Sequence, residues 1–285
     1  MDTARRPRLG LHLSEPLQVE VARAPLEVIY PRLRLADDTL TAAAALLGAR
    51  LVRTDGWGVR TGRIVEVEAY GGIDDGASHA RFGPTKRNAV MFGPPGHAYV
   101  YLVYGMHECL NVVTEPIGRA AAILVRSVEP LEGVDQMRRA RDEWVVARAR
   151  GRVAAAGRPA RADAPNASVA AARLVAARQR VAALPAARLA SGPGLVCAAF
   201  SIGRAADGAD LCAPGSSIRL EVARPGDAPV VPVFGPRIGI GYAPEPWRSK
   251  PWRVWAAGSP AVSGSRGPAA GDPSASGSRG SGSRA

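Results

Sequence analysis

Two glutamates stand two residues apart in the run Arg63-Ile64-Val65-Glu66-Val67-Glu68-Ala69-Tyr70, which stops at Gly71-Gly72. Residues i and i+2 of a strand point to one side, so Glu66 and Glu68 either line one cleft or share a solvated face. A carboxylate where a strand opens on a loop can meet a substrate, deprotonate a water or steady a developing positive charge. His79 follows in a loop rich in Gly and Asp, as a further polar candidate or a plain surface imidazole.

A second constellation is aromatic. His97 to Val103 alternates, with Tyr99, Tyr101 and Val103 on one face and Val100 and Leu102 on the other. Tyr99 reads as core. Tyr104 stands beside Gly105 at a turn, where its own sheet cannot easily bury a large ring. An apolar wedge on a hairpin tip is what minor-groove proteins insert between base pairs. Lys86-Arg87-Asn88, Arg119 and Arg126 suit phosphate contact. A tip aromatic, basic flanks and a carboxylate together suggest an enzyme that flips a base out of duplex DNA.

These side chains need a scaffold, and its elements are written around them. Asp37-Asp38-Thr39 offers N-cap oxygens. Leu40, Ala43, Ala44 and Leu47 then form a helical face that Gly48 stops. Leu51-Val52-Arg53 and Gly62 to Tyr70 are strands flanking the turn Asp55-Gly56-Trp57-Gly58. Tyr104-Gly105-Met106 turns the chain toward Cys109-Leu110-Asn111-Val112-Val113, and Ala121 to Val128 is a further apolar strand.

The 285 residues are 47% hydrophobic, enough for one domain of roughly 200 residues with flexible extras. Residues 1–33 read as a flexible arm, 34–263 as the domain, and 264–285 as a disordered Gly/Ser/Arg tail. Within the domain, 145–188 is an Ala/Arg-rich insertion, partly helical and partly loose. Lys+Arg number 37 against 25 Asp+Glu, a net charge of +12 that favours a polyanionic partner or reflects Arg-rich composition alone. Cys109, Cys197 and Cys212 have no CxxC spacing, which speaks against a disulfide framework or zinc site and fits a reducing cytosol. No apolar stretch approaches a membrane span, and the start has no apolar signal region. A cytoplasmic, nucleoid-associated protein is expected, with no membrane contact and no metal.

The run from Arg63 to Tyr70, His79, Thr85-Lys86-Arg87-Asn88, Met91-Phe92, Pro95-Gly96, Tyr99 to Met106, Cys109 to Val112 and Ile123 to Pro130 resembles the alkyladenine (3-methyladenine) DNA glycosylase family. Ser191-Gly192-Pro193, Arg237-Ile238-Gly239-Ile240-Gly241 and Lys250-Pro251-Trp252-Arg253 extend the resemblance over about 37 to 262, without the insertion. It implies a single α/β (α+β) domain around a curved, largely antiparallel sheet with a protruding, DNA-inserting β-hairpin. It implies a monomer that acts without cofactor on double-stranded DNA containing damaged purines.

Residue by residue, the resemblance makes Glu68 the water-activating base, puts Arg126 beside that water and lets the Ile238 main-chain carbonyl help hold it. Tyr70, His79 and Tyr101 would sandwich the extruded base, and Asn111 would crowd the exocyclic amino group of guanine. Tyr104 would fill the vacated stack, Met91 would pack near the opposite strand, and Thr85, Lys86, Arg87 and Asn88 would form a DNA-contact loop. The implied activity is hydrolysis of the N-glycosidic bond of alkylated or deaminated purines (the 3-methyladenine, hypoxanthine and ethenoadenine class), leaving an abasic site without strand cleavage. Two positions depart from the family pattern: Leu195 replaces a usual lysine, and His107 replaces an aromatic near the wedge. A non-catalytic module that binds lesions or bent DNA would keep Tyr104 and the arginines but have no use for Glu68. A small-molecule nucleosidase would need neither the wedge nor the charge.

Overall fold

A computed structural model of the chain describes residues 29–103, 105–155 and 165–264. Eight strands form one sheet: β1 (Arg50–Asp55), β2 (Gly58–Gly71), β3 (Ala98–Val103), β4 (His107–Thr114), β5 (Ala121–Glu132), β6 (Ile218–Glu221), β7 (Pro232–Gly235) and β8 (Arg253–Ala256). The order is β3-β4-β5-β2-β1-β6, and β8 joins β2 to β7. Every pairing is antiparallel. The mixed α/β architecture and curled antiparallel sheet are those that the sequence implies.

Four helices accompany the sheet: α1 (Thr39–Leu46), α2 (Val134–Ala155), α3 (Pro165–Ala182) and α4 (Pro193–Phe200). Asp38 caps α1 by accepting from the Leu40 and Thr41 amides, both at 3.1 Å. Gly48, just past the helix, takes φ +89°, a left-handed turn that a side chain would strain. The main core lies between α1, α4, the start of α2 and one face of β2, β4 and β5, with Leu46, Ile64, Val67, Leu110, Ile123, Val125, Met137 and Phe200 all buried.

The domain starts earlier than the sequence suggests. Ile29 bridges to Glu221, and Tyr30 is buried with its amide bonded to the Leu220 carbonyl at 2.9 Å. Residues 1–28 and 265–285, which hold most of the expected arm and tail, lie outside the described residues. The expected insertion begins inside α2, and its described parts are helical apart from residues 183–185. Arg138 of α2 donates to the carbonyls of Val181, Ala182 and Leu184, and so caps the end of α3. Among the described residues, no helix is long and apolar enough to cross a membrane.

β2 positions the chemistry. Its first half pairs with β1, its second half with β8, and β5 runs along its other edge. From Ile64↔Val128 to Glu66↔Ser127, β2 advances two residues against one. The next step, to Val67↔Val125, advances one against two. Arg126 therefore stands in the irregular part of the ladder, where a bulge re-aims side chains.

Candidate active site

Glu66 and Glu68 are both fully buried, so the solvated alternative does not hold. They lie on one side of β2, and Arg126 of β5 reaches both. Arg126 Nε donates to Glu66 Oε1 at 3.0 Å, and its Nη1 lies 3.2 Å from Glu68 Oε1. Glu66 is otherwise saturated: Arg253 Nε donates to Oε1 at 2.7 Å, and the Ser127 hydroxyl and Ser263 amide donate to Oε2 at 2.8 and 2.6 Å. Burial alone would push its carboxyl up, but Arg126, the Ser263 amide and Arg253 outweigh burial and hold it below the usual range. Glu66 is a fixed anion that orients Arg126.

Glu68 has a different environment. Its Oε2 accepts the Tyr70 hydroxyl at 2.9 Å and its Oε1 accepts the Ile238 amide at 2.7 Å. Burial pushes its carboxyl above the usual range, against the pull of Arg126, the Ile238 amide and Tyr70. A desolvated carboxylate of raised basicity, still held by directed donors, is suited to take a proton from water. Burial also raises the Tyr70 hydroxyl well above its usual range, which keeps it a neutral donor.

The aromatic groups assemble on β3 and on the loop after β2. His79 and Tyr101 meet edge to face with centroids 4.4 Å apart, and Tyr99 and Tyr101 lie 5.3 Å apart. The His79 Nδ1 faces the Tyr99 hydroxyl at 3.2 Å. Burial, helped by Arg87 and Arg81, lowers the His79 imidazole to about 4, so it is neutral near pH 7. Tyr70 belongs to a separate packing group with Ala77, Ile240, Ala243 and Trp247. Asn111 is buried, its Nδ2 donating to the Tyr99 carbonyl at 3.0 Å.

Several candidate residues sit elsewhere than the sequence suggests. Ile238 donates its main-chain N–H to Glu68, a contact beyond the one expected of its carbonyl toward the water. Met91, expected near the opposite strand, is buried with Ala80, Tyr99 and Val113. Asn88 is also buried and ties its own loop together: its Nδ2 donates to the His79 and Gly83 carbonyls at 3.1 and 3.0 Å, and its Oδ1 accepts the Thr85 amide and hydroxyl. Packing demand explains both, since an apolar Met and an amide that satisfies a tight loop go inward. Thr85, Lys86 and Arg87 remain exposed. Tyr104 lies outside the described residues. Its neighbours across the β3–β4 turn, Leu102 and Met106, are exposed.

Sequence reading missed the latch that holds the site's second half. Arg237 and Asp75 form a fully buried pair, with Arg237 Nη1 2.5 Å from Asp75 Oδ2 and Nη2 2.9 Å from Oδ1. Arg237 also donates to the Ala69 carbonyl at 2.9 Å and lies 4.7 Å from the Tyr70 ring centroid. Asp75 accepts the Gly71 and Ala77 amides at 3.1 and 2.9 Å. The latch thus fixes the loop after β2 and the segment that delivers Ile238. Its only sequence signal was that Arg237 immediately precedes Ile238.

One of the two departures is also explained locally. His107 packs on Trp144 of α2 with centroids 5.3 Å apart, and its Nε2 lies 3.1 Å from Arg148 Nη1. A Cβ on Gly194 would come within 2.6 Å of His107 Nδ1, so the imidazole fits because residue 194 is glycine. Leu195 is partly buried. Among the described residues, no group of three His, Cys, Asp or Glu side chains could hold a metal ion.

Comparison with known proteins places this geometry. Residues 34–260 match the family model described as methylpurine-DNA glycosylase (MPG). A protein of Anaeromyxobacter dehalogenans is 40% identical over 234 residues, covering 82% of this chain and 84% of its own length. A protein of Methanocella arvoryzae is 42% identical over 79% of this chain and 90% of its own length. One of Frankia casuarinae is 44% identical over 80% of this chain and 89% of its own length. Each bears, provisionally, the name 3-methyladenine DNA glycosylase.

Proposed function

The chain belongs to the methylpurine-DNA glycosylase family, and we propose that it flips alkylated or deaminated purines out of duplex DNA and hydrolyses their N-glycosidic bond. The observation that carries this reading is the fully buried Glu68 carboxylate, held by Tyr70, the Ile238 amide and Arg126. A module that only bound lesions would have no use for a desolvated carboxylate held this way.

Cleavage at C1′ passes through an oxocarbenium-like state, as in glycoside hydrolysis. Glu68 steadies that charge and takes a proton from the attacking water as the purine leaves with the bond's electron pair, while Arg126 keeps the carboxylate oriented. An alkylated purine departs neutral, and a neutral purine departs as an anion that regains the proton by way of solvent. Tyr70 stacks on one side of the extruded base, and His79 with Tyr101 on the other. An N3-alkylated purine is a cation, and a ring face attracts it by about 0.5–2 kcal/mol. The neutral His79 adds no opposing charge. Asn111 crowds the amino group of guanine. Tyr104 fills the gap left in the stack, with Thr85, Lys86 and Arg87 near the backbone.

The product is an abasic site, and the strand stays intact. A lyase of the Schiff-base kind needs an amine at C1′. Lys250 lies over the rings of Trp247 and Trp252, at 3.8 and 4.6 Å, and Lys86 is on the exposed loop. The protein acts as a cytoplasmic, nucleoid-associated monomer, without cofactor. Incubation with duplexes containing hypoxanthine, ethenoadenine or 3-methyladenine should release the free base. Strand breaks should appear only after alkali, and borohydride should trap no covalent complex. Binding without release of any of these bases would favour the lesion-binding module.

A further inference from the structure

Arg81, Phe82 and Tyr242 cluster beside the residues just described. The Arg81 guanidinium carbon lies 4.5 Å from the Phe82 ring centroid and 5.4 Å from that of Tyr242. Arg81 Nη1 donates to the Ser78 carbonyl at 3.0 Å, and among the described residues no carboxylate pairs with it. Phe82 is 82% exposed and Tyr242 60%. A guanidinium set against two rings and tied to a carbonyl is suited to take a phosphate, and exposed rings present faces on which nucleotides stack.

The cluster is tied to the pocket from both sides. Tyr242 donates its hydroxyl to the Ala77 carbonyl at 3.0 Å, two residues before His79. Ile238, on the same segment as Tyr242, donates its amide to Glu68. The platform therefore borders the place where a flipped nucleotide would enter.

We infer that Arg81, Phe82 and Tyr242 are a docking platform for the DNA strand that carries the extruded nucleotide. Arg81 takes a backbone phosphate, and the two rings lie against the neighbouring sugar and base. This rests on the glycosylase reading above. The net charge of +12 fits such a polyanion.

The test is the affinity of the full chain for a duplex with a stable abasic-site analogue, measured across salt concentrations. Arg81→Gln should weaken binding at least about fivefold and flatten the slope of log affinity against log salt by about one unit, one phosphate contact. Arg81→Lys should keep the slope but recover only part of the affinity. Phe82→Ala, at a position that contributes little to the core, should weaken binding and leave the slope unchanged. Wild-type affinity and slope in Arg81→Gln, or wild-type affinity in Phe82→Ala, would overturn the platform. Wild type that binds the duplex but excises no damaged purine would sink the glycosylase reading alone. Excision by wild type with unaltered binding by Arg81→Gln would sink the platform alone.

Discussion

Arg126 is shared by two carboxylates of one strand, with Nε 3.0 Å from Glu66 Oε1 and Nη1 3.2 Å from Glu68 Oε1. The two acids have nearly the same burial but opposite electrostatics. Glu66 is held below the usual carboxyl range by Arg126, the Ser263 amide and Arg253, which overcome its burial, whereas burial prevails at Glu68. Pairs of titratable groups pushed apart by their surroundings mark a division of roles. On the proposed function, Glu66 is the anchor and Glu68 the reactive group.

Glu66→Gln should therefore be a stability variant. It leaves Arg253 without its buried counter-charge and Arg126 with Glu68 alone, and breaking a buried ion pair from one side costs about 3–5 kcal/mol. Denaturant unfolding should show this loss. An unfolding midpoint equal to wild type would contradict the anchoring role.

Tyr70→Phe removes a donor to the ionised form of Glu68. The carboxyl should then rise further, and the acidic limb of the excision rate should move to higher pH. A hydrogen bond contributes about 0.5–1.5 kcal/mol and 1.36 kcal/mol corresponds to one unit, so the move should be up to about one pH unit. Single-turnover rates across pH measure it, and a move to lower pH would contradict the assignment.

His79 ties stability to acid. Its imidazole is lowered to about 4 in the folded chain from an ordinary 6.5. Below 6.5 the unfolded state takes the proton first, so stability present above that pH is lost as pH falls toward about 4. The drop in melting temperature from pH 7 to pH 4.5 should be smaller in His79→Gln than in wild type. An equal drop would show that His79 does not carry this loss.

Gly194→Ala tests how the hairpin is seated. The new methyl would stand 2.6 Å from His107 Nδ1, at the base of the β3–β4 turn. Overpacking of this kind costs about 1–3 kcal/mol. His107→Ala in the same chain should restore most of the loss in a thermal melt. Failure of that rescue would place the strain elsewhere.

Local elements were legible because local chemistry writes them. Asp38 announces the start of α1, and alternation announces β3. Burial set by distant partners was not. Nothing near Glu66 in the chain indicates Arg253 or Ser263, which reach it from 187 and 197 positions away. The Arg237–Asp75 latch spans 162 positions, and no periodicity records such a contact. Asn88 and Met91 sit in a basic, glycine-flanked run that reads as surface. The structure turns both inward because one satisfies the loop's carbonyls and the other fills the cluster around Tyr99.

The most direct test is Glu68→Gln. The amide keeps the volume, and its single oxygen can still accept from Ile238 while its NH2 faces the Tyr70 oxygen, but it cannot take a proton from water. Single-turnover excision from a hypoxanthine duplex should fall by at least about a hundredfold, while affinity for the same duplex stays within a few-fold of wild type. Excision at the wild-type rate would mean that another group activates the water.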